Sequence, residues 1–252
     1  MARLFNDAAS QRLYVASTPV SGPPLSMACW FNSDSIALHQ VLVAVYYLYG
    51  AGGYQHHRLM IRGNEAGDPV AASTQGSAVV TYTDATTTSG YSANTWHHAL
   101  GVWAADNDRR AYIDGGSKGT DATNLVLSST PNRVNISGIP DGAGATIQYM
   151  SGYIAELAIW NASLTDAEAT ILAAGYSPLL VRPQSLVLYI PLVRDNDKDI
   201  VGGRSFTALN APTIAAHPRV LYPTGYRLGV TIPPVVSRIP RHPAQYNTLA
   251  IY

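Results

Sequence analysis

The sequence predicts an all-β fold, an antiparallel β-sandwich that carries one short helix and an extended, proline-rich C-terminal arm. Three observations support this class. Short segments of alternating or uniformly apolar residues recur along the chain, and clusters of Gly, Pro, Asn and Asp separate them. One segment near the end of this region carries helix signals at both of its ends. Regularly spaced short strands with turn signals favour a sandwich or barrel over an α/β arrangement.

The clearest hairpin lies in residues 91–116. Apolar alternation predicts a strand over residues 97–103, the polar residues 106–108 predict its turn, and residues 111–113 return as a second strand. Asp-Gly-Gly then ends the hairpin, because these residues tolerate positive φ. The other predicted strands are residues 12–16, 26–31, 41–49, 57–62, 78–83, 133–136, 153–160 and 184–192.

A short helix is predicted near residues 165–175. Thr165 and Glu168 stand at capping-box spacing, and Asp166 suits the positive end of the helix dipole in the first turn. Gly175 is a typical residue after a helix end, and Pro178 blocks continuation.

The character of the chain changes after the sandwich. We predict a domain over residues 1–204 and an extended arm over residues 205–252, which is rich in proline and carries no acidic residue. Such a segment has apolar and aromatic anchors but little core of its own, so it is expected to join neighbouring subunits, at an acidic groove. The competing interpretation is that it packs back on its own domain. The candidate assembly residues are Tyr222, Tyr226, Arg227, Arg238, Tyr246 and Tyr252.

Three motifs identify a family. The W-H-H sequence that begins at Trp96, followed by Y-I-D-G at 112–115, resembles the laminin-G-like members of the concanavalin A-like lectin/glucanase superfamily. L-S-M-A-C-W-F at 25–31 resembles the early strand of that family, and G-x-I-x-E at 152–156 its late strand. The resemblance implies a jelly-roll sandwich. It is much less specific for activity, because one fold hosts many functions.

The bulk composition limits the partners. The 16 basic residues balance the 16 acidic ones, so no overall field attracts nucleic acid or an anionic membrane. No apolar segment has the length of a membrane span, and the N-terminal segment has no signal-peptide pattern. We therefore expect neither nucleic-acid binding nor membrane insertion, and we expect the protein to be made in the cytoplasm.

The sequence predicts that the protein is not an enzyme. The resemblance implies that a glucanase would need a closely spaced E-x-D-x-E carboxylate strand, whereas the only glutamates are Glu65, Glu156 and Glu168, and none stands in that pattern. No nucleophile elbow or phosphate-binding loop is present either, so we expect no cofactor.

No metal site is predicted. Relatives in this family often carry a carboxylate in the late strand, and the matching position here is Ala155. Asp195, Asp197 and Asp199 form an alternating cluster of the type that hard cations prefer, but the glycine and closing glutamate of an EF-hand are missing. A solvated turn is the favoured interpretation of this cluster.

Aromatic and polar residues around the loop at 50–53 are the candidate binding residues. Sugar-binding and protein-binding surfaces both combine aromatic faces with polar edges. Strand alternation turns only some of these side chains outward, and the others belong to the core. The candidates, for a glycan or a protein, are Tyr47, Tyr49, Tyr54, His56 and Arg58.

The resemblance implies a non-enzymatic structural or interaction protein displayed on a larger assembly. Lone laminin-G-like chains of this kind resemble virion proteins of tailed bacteriophages, such as capsid decoration, head-fibre or tail components, and they can aid adhesion to the host surface. The expected partners are other virion or assembly subunits, further copies of the chain, and cell-surface glycans. The expected location is the virion surface, or otherwise the cytoplasm. The alternative is a carbohydrate-binding, lectin-like adhesin module.

Overall fold

Two antiparallel β-sheets pack face to face in this protein. The structure is a computed structural model, and it describes residues 2–48, 54–76, 81–140, 145–193 and 198–223. The predicted β-sandwich with one short α-helix is confirmed.

The described strands have the following bounds in chain order: β1 (Ala2–Phe5), β2 (Arg12–Val15), β3 (Leu25–Ser33), β4 (His39–Leu48), β5 (Tyr54–Arg62), β6 (Pro69–Gln75), β7 (Tyr82–Gly90), β8 (His97–Ala105), β9 (Asp108–Ile113), β10 (Gly116–Asp121), β11 (Arg133–Ile136), β12 (Ile139–Pro140), β13 (Thr146–Ile147), β14 (Gly152–Trp160), β15 (Leu186–Ile190), β16 (Thr207–Leu209) and β17 (Thr213–Ala215). The α-helix α1 (Asp166–Ala173) follows β14, and two 3-10 turns, Pro178–Leu180 and Pro183–Ser185, precede β15.

The strand order defines the two layers. One sheet runs β10-β9-β8-β3-β14-β1-β17, with β15 paired to β14 beside β1. The other sheet runs β16-β2-β11-β4-β5-β6-β7. A separate two-stranded hairpin, β12-β13, lies between β11 and β14 in the chain.

The core lies between the two sheets. It is built from alternate side chains, such as Met27, Cys29 and Phe31 on β3 and Leu59 and Ile61 on β5, which belong to one buried cluster. Alternation puts these residues on one face of each strand. Each fully buried side chain of this size contributes about 1.5–3 kcal/mol to folding.

The helix begins where its capping signals predict. Thr165 Oγ1 accepts a hydrogen bond from the Glu168 amide at 3.3 Å, and Glu168 Oε2 accepts one from the Thr165 amide at 2.7 Å. The buried residues Ala169 and Leu172 pack in a cluster with Trp160, on the outer face of the eight-stranded sheet. α1 therefore covers part of that face.

Most predicted strands are confirmed with small displacements of their ends, but the strand predicted at residues 78–83 is misplaced. The chain instead forms β6 and β7, and residues 77–80 lie outside the described part. Every residue of β6 is buried, so its small side chains show no alternation that the sequence pattern could reveal. The short strands β1, β10, β12, β13, β16 and β17 were also not predicted.

The division at residue 204 stays a prediction, and the segment that follows it begins with two short strands. β16 pairs with β2 in one sheet, and β17 pairs with β1 in the other. Residues 205–223 therefore pack back on the sandwich, which is the competing interpretation of the arm. Residues 224–252 lie outside the described part of the chain.

A buried carboxylate fastens this C-terminal segment. A β-bulge lies between Ala155 and Ala158, where Glu156 has a φ of 54°, and its side chain is 1% exposed. The hydroxyl of Tyr189 donates to Glu156 Oε2, and the hydroxyl of Tyr222 donates to Oε1 at 2.6 Å. His217 Nε2 lies 2.9 Å from Oε1. Two of the three contacts to this carboxylate therefore come from the C-terminal segment.

We predict that Tyr222→Phe lowers the free energy of unfolding by about 1–3 kcal/mol, because a buried carboxylate loses a donor. Chemical denaturation at pH 7 measures the change. Tyr176→Phe is the matched control, because Tyr176 is 42% exposed near the same segment. Equal stabilities of the two variants would show that the Glu156 contacts do not hold the segment.

Candidate functional site

The two outer faces of the sandwich differ in their covering. The eight-stranded sheet carries α1 and the 3-10 turns, whose Leu179 and Val181 pack in the cluster around Trp160. The seven-stranded sheet carries the small β12-β13 hairpin, whose Ile139 packs against Tyr46 and Met60. Beside that hairpin the outer face of the seven-stranded sheet forms an open groove.

We call this depression the outer-face groove, and its cavity measures about 260 Å³. It adjoins a second depression of about 360 Å³ that shares His39 and Gln148 with it. The outer-face groove is lined by His39, Arg58, Met60, Arg62, Glu65, Tyr82, Asp84, Ile147 and Gln148.

β5 provides the base of the outer-face groove because strand side chains alternate between faces. Leu59 and Ile61 belong to the buried core between the sheets. Arg58, Met60 and Arg62 therefore lie on the opposite face, and all three line the groove. The same face of one strand therefore carries two guanidinium groups, with Met60 between them.

Arg58 is held in place by neighbours on three elements. Its Nη1 donates to Gln148 Oε1 at 2.8 Å, and its Nε donates to Ser73 Oγ at 3.4 Å. The guanidinium carbon lies 5.6 Å from the ring centroid of Tyr82, within cation-π range. Tyr82 is 40% exposed, so an aromatic surface remains accessible beside a positioned guanidinium.

Arg62 joins the two carboxylates of the groove. Its Nη1 lies 3.2 Å from Glu65 Oε1, and its Nη2 donates to Asp84 Oδ2. His39 Nε2 lies 3.3 Å from the same Glu65 oxygen. Arg58 and Arg62 together balance the charges of Glu65 and Asp84, so the groove favours a neutral ligand over a strongly charged one.

Two side chains that line the groove each carry one buried polar atom that remains unmatched. Arg62 Nε and Asp84 Oδ1 are buried, and neither has a hydrogen-bond partner within the described ranges. Buried polar groups normally find partners, and leaving them unpaired is unfavourable. A hydroxyl group both donates and accepts, so hydroxyl-bearing ligands match this pair of atoms.

The five predicted binding residues do not form one surface. Arg58 lies in the outer-face groove, whereas alternation turns the half-buried Tyr47 to the inner side of β4. Tyr49 and the side chain of Tyr54 lie outside the described part of the chain. His56 shares the outer face but is fully buried, with its ring centroid 6.5 Å from that of Tyr82. His56 lies inside the protein beside Tyr82, and its contact with a ligand stays a prediction.

The predicted assembly residues are described only in part. Tyr222 binds Glu156 of its own chain. The others, Tyr226, Arg227, Arg238, Tyr246 and Tyr252, lie outside the described residues and stay a prediction.

The aspartate cluster is also described only in part, since Asp195 and Asp197 lie outside the described ranges. Asp199 is fully buried, and its Oδ1 accepts hydrogen bonds from the amides of Tyr189, Val201 and Gly202. Its Oδ2 lies 3.1 Å from Arg204 Nη1. This carboxylate therefore organises the loop before β16. No group of three His, Cys, Asp or Glu side chains suited to a metal occurs in the part of the chain that the structure describes.

The sequence prediction missed most of the groove. Arg62 could have been recognised, because residues 58 and 62 share a face at the two-residue period of a strand. Asp84 and Tyr82 lie two strands away, on β7, and only the sheet order brings them to β5. Gln148 follows the β12-β13 hairpin, which no pattern in the sequence predicted.

Burial keeps several histidines neutral. Burial and the neighbouring Arg58 hold the pKa of His56 well below its ordinary value. Burial and Arg109 lower the pKa of His57 to about 3, and burial lowers the pKa of His98 to about 4 against the opposing effect of Asp114. These rings are neutral near pH 7.

No helix among the described residues is long and apolar enough to cross a membrane. Comparison with known families then gives one match. The model of the concanavalin A-like lectin/glucanases superfamily, in its laminin G form, matches residues 7–170. No curated protein matches the sequence.

Solved structures with low sequence identity share the fold. A putative carbohydrate binding protein from Bacteroides ovatus is 15% identical with a TM-score of 0.59, covering 85% of this chain and 61% of its own. This chain therefore spans less than two thirds of that protein. A heptameric pentraxin from Limulus polyphemus is 13% identical with a TM-score of 0.52, covering 84% and 91% of the two chains. Domain 4 of an arabinanase from Geobacillus stearothermophilus is 16% identical with a TM-score of 0.52, covering 68% and 76%.

Because of the buried histidines, we predict that folding stability falls with pH already above the range where carboxylates titrate. Their pKa values are lowered on folding, so unfolded histidines bind protons first, and stability present above about pH 6.5 is lost as the pH falls. Each ring contributes up to about 1.4 kcal/mol per pH unit below that point. Denaturation between pH 7 and 4.5 measures the slope. His98→Phe should reduce the slope of stability against pH by the contribution of about one proton. An unchanged slope would contradict the conclusion that His98 is neutral in the folded protein.

Proposed function

The chain belongs to the concanavalin A-like lectin/glucanase superfamily, and from this membership we propose that it is a lectin-like module that binds neutral saccharides in the outer-face groove. The observation that carries the proposal is the unmatched pair of buried atoms, Arg62 Nε and Asp84 Oδ1, beside the exposed ring of Tyr82. A donor, an acceptor and an aromatic face are the three features that a sugar ring recognises.

Each part of the groove matches one part of a pyranose or furanose residue. The C–H face of the sugar packs on the ring of Tyr82, which Arg58 and His56 support from below. A hydroxyl at the groove base accepts from Arg62 Nε and donates to Asp84 Oδ1. Because these two side chains already contact each other, they are positioned before the ligand arrives. Such preorganisation lowers the entropic cost of binding.

The groove supports binding without turnover. Glycoside hydrolysis needs two carboxyl groups that flank the scissile bond, one as the acid and one as the base or nucleophile. Glu65 and Asp84 are the two carboxylates that line the outer-face groove, and both pair with Arg62. Glu156, on the other sheet, binds two tyrosine hydroxyls and His217 instead.

Two of the similar structures guide the choice of probe. One is a putative carbohydrate binding protein, and the arabinanase domain was crystallised in complex with arabinotriose. Their low identity establishes the fold alone, so the ligand class rests on the groove residues. Arabinotriose is a suitable first probe, within a panel that also contains xylotriose, cellotriose, maltotriose and mannotriose.

We predict that the full chain binds at least one neutral trisaccharide of this panel, and that Tyr82→Ala weakens binding by about tenfold or more. Loss of an exposed aromatic anchor at an interface typically costs over 1 kcal/mol, and about 1.4 kcal/mol corresponds to tenfold. Asp84→Asn should also weaken binding, because it removes the charged acceptor while keeping its shape. Isothermal titration calorimetry measures each affinity.

The matched control is Tyr176→Ala. Tyr176 is about as exposed as Tyr82, but it follows α1 and does not line the groove. It should bind as the unaltered chain does. The saccharide should also be recovered unhydrolysed after prolonged incubation. Binding that survives both groove substitutions, or products of hydrolysis, would contradict the proposal.

We also infer that the chain is displayed on a larger assembly, as a virion component at the virion surface, where glycan binding would aid adhesion to a host cell. The observation that favours this role is the sequence of residues 224–252, which contains four prolines and three arginines and no acidic residue. The partners would be further copies of this chain and other virion subunits. The similar pentraxin, for comparison, is heptameric.

Deletion of residues 224–252 tests this role. The cut lies after Pro223, because Leu221 exchanges backbone hydrogen bonds with Gly175 and Ser177, and Tyr222 binds Glu156. We predict that the truncated chain keeps its melting temperature and its saccharide affinity but loses self-association or incorporation into particles. Light scattering after size-exclusion chromatography measures the first property. A full chain that is monomeric and absent from particles would contradict the role.

A further inference from the structure

A group of exposed apolar side chains lies beside the place where the described chain ends. Tyr176, Leu180 and Leu221 are 42%, 43% and 45% exposed, and Ile171, in the last turn of α1, is 40% exposed. We call these four side chains the C-terminal patch. Exposed apolar residues that stand singly are ordinary, whereas a contiguous group of them marks a site of contact with another molecule.

Backbone hydrogen bonds bring two members of the C-terminal patch together. The Leu221 amide donates to the Gly175 carbonyl at 2.7 Å, and the Ser177 amide donates to the Leu221 carbonyl at 2.9 Å. Tyr176 and Leu221 are therefore partners in a parallel bridge. Partners in a bridge carry their side chains on the same side of the backbone, so the ring of Tyr176 lies next to the side chain of Leu221.

The other two members flank this pair. The Ile171 carbonyl accepts a hydrogen bond from the Tyr176 amide at 3.3 Å, and the Leu180 amide donates to the Ser177 carbonyl at 2.9 Å. Leu172, next to Ile171, enters the buried cluster beneath α1. The C-terminal patch is thus the outer side of a segment whose inner side packs on the eight-stranded sheet.

The chain leaves this surface at Pro223. A parallel bridge would continue with the amide of residue 223 donating to the Ser177 carbonyl, but proline has no amide proton, so the pairing ends there. The preceding hydroxyl, that of Tyr222, donates to Glu156 at 2.6 Å. The start of residues 224–252 is therefore fixed within a few residues of Leu221, beside the C-terminal patch.

The composition of residues 224–252 matches an apolar surface on a sandwich. Residues 1–223 hold 13 basic residues and all 16 acidic ones, whereas residues 224–252 hold three arginines and no acidic residue. These opposite net charges favour contact of the segment with a sandwich over contact with a second copy of the segment. Prolines restrict the segment and lower the entropic cost of docking. Its apolar side chains in the middle are Leu228, Val230, Ile232, Val235, Val236 and Ile239.

We propose that residues 224–252 of a second copy cover the C-terminal patch, so that two copies exchange their C-terminal segments reciprocally. This inference rests on the proposed assembly role, because a segment that lies on its own patch joins no neighbour. The segment starts beside the receiving surface on each copy, and a two-fold axis near Leu221 therefore carries each segment onto the patch of the other. A segment of this length can reach roughly 90 Å when extended, which is enough to cross to the second copy.

Substitutions in the patch of the full chain test the receiving surface. Leu180→Glu and Leu221→Glu each place a charge in the apolar contact and should raise the dissociation constant of self-association by about tenfold or more. Light scattering after size-exclusion chromatography at several concentrations measures this constant. The matched control is Val126→Glu, because Val126 is 56% exposed and lies between β10 and β11. It should associate as the unaltered chain does.

Cross-linking identifies which copy supplies the segment, and it leaves the patch unaltered. A photoreactive benzoylphenylalanine in place of Val235 is introduced into ¹⁴N-labelled and ¹⁵N-labelled full chains, which are mixed, equilibrated and irradiated. Mass spectrometry should find cross-links from residue 235 to residues 171–180 or 221 that join the two labels.

Cross-links that join only equally labelled peptides, or that reach other surfaces, would overturn the exchange. Self-association that both patch variants retain would also overturn it, and would leave the assembly role in place. A full chain that is monomeric at every concentration would contradict both.

Discussion

The alternation of side chains along β5 is the constraint on which the outer-face groove depends. Leu59 and Ile61 must enter the core between the sheets, and this requirement fixes the register of the whole strand. His57 is consequently turned inward, and Arg58 and Arg62 outward. A shift of register by one residue would exchange these faces and would also expose the core. The stability of the sandwich and the position of its binding groups are therefore set by the same pattern.

Two networks of buried polar side chains lie in the sandwich. Thr74 Oγ1 makes three hydrogen bonds between the sheets. The Glu156 carboxylate contacts two tyrosine hydroxyls and a histidine ring. Such networks are costly when they are only partly satisfied. Among the described residues, Arg62, Asp84 and His57 carry an unmatched buried atom and line a cavity. These atoms differ from the other unmatched buried atoms because their residues line a cavity.

The sequence predicted the fold well and the site only in part. Local signals determined the sandwich strands and the helix, because alternation and the Thr165–Glu168 capping box act over a few residues. The groove depends instead on the order of strands, which brings Tyr82 and Asp84 beside β5, and no local pattern encodes that order. The C-terminal segment was interpreted from its prolines, whereas β16 and β17 are short edge strands that form through contacts with distant parts of the chain.

The central claim is that the outer face of the seven-stranded sheet is the saccharide-binding surface. Chemical-shift mapping of the isotope-labelled full chain, titrated with the tightest-binding trisaccharide of the neutral panel, tests it most directly. The largest changes should fall on the side-chain signals of Arg58, Arg62, Tyr82 and Gln148. Changes confined to α1 and the outer face of the eight-stranded sheet, or no changes with any member of the panel, would contradict it.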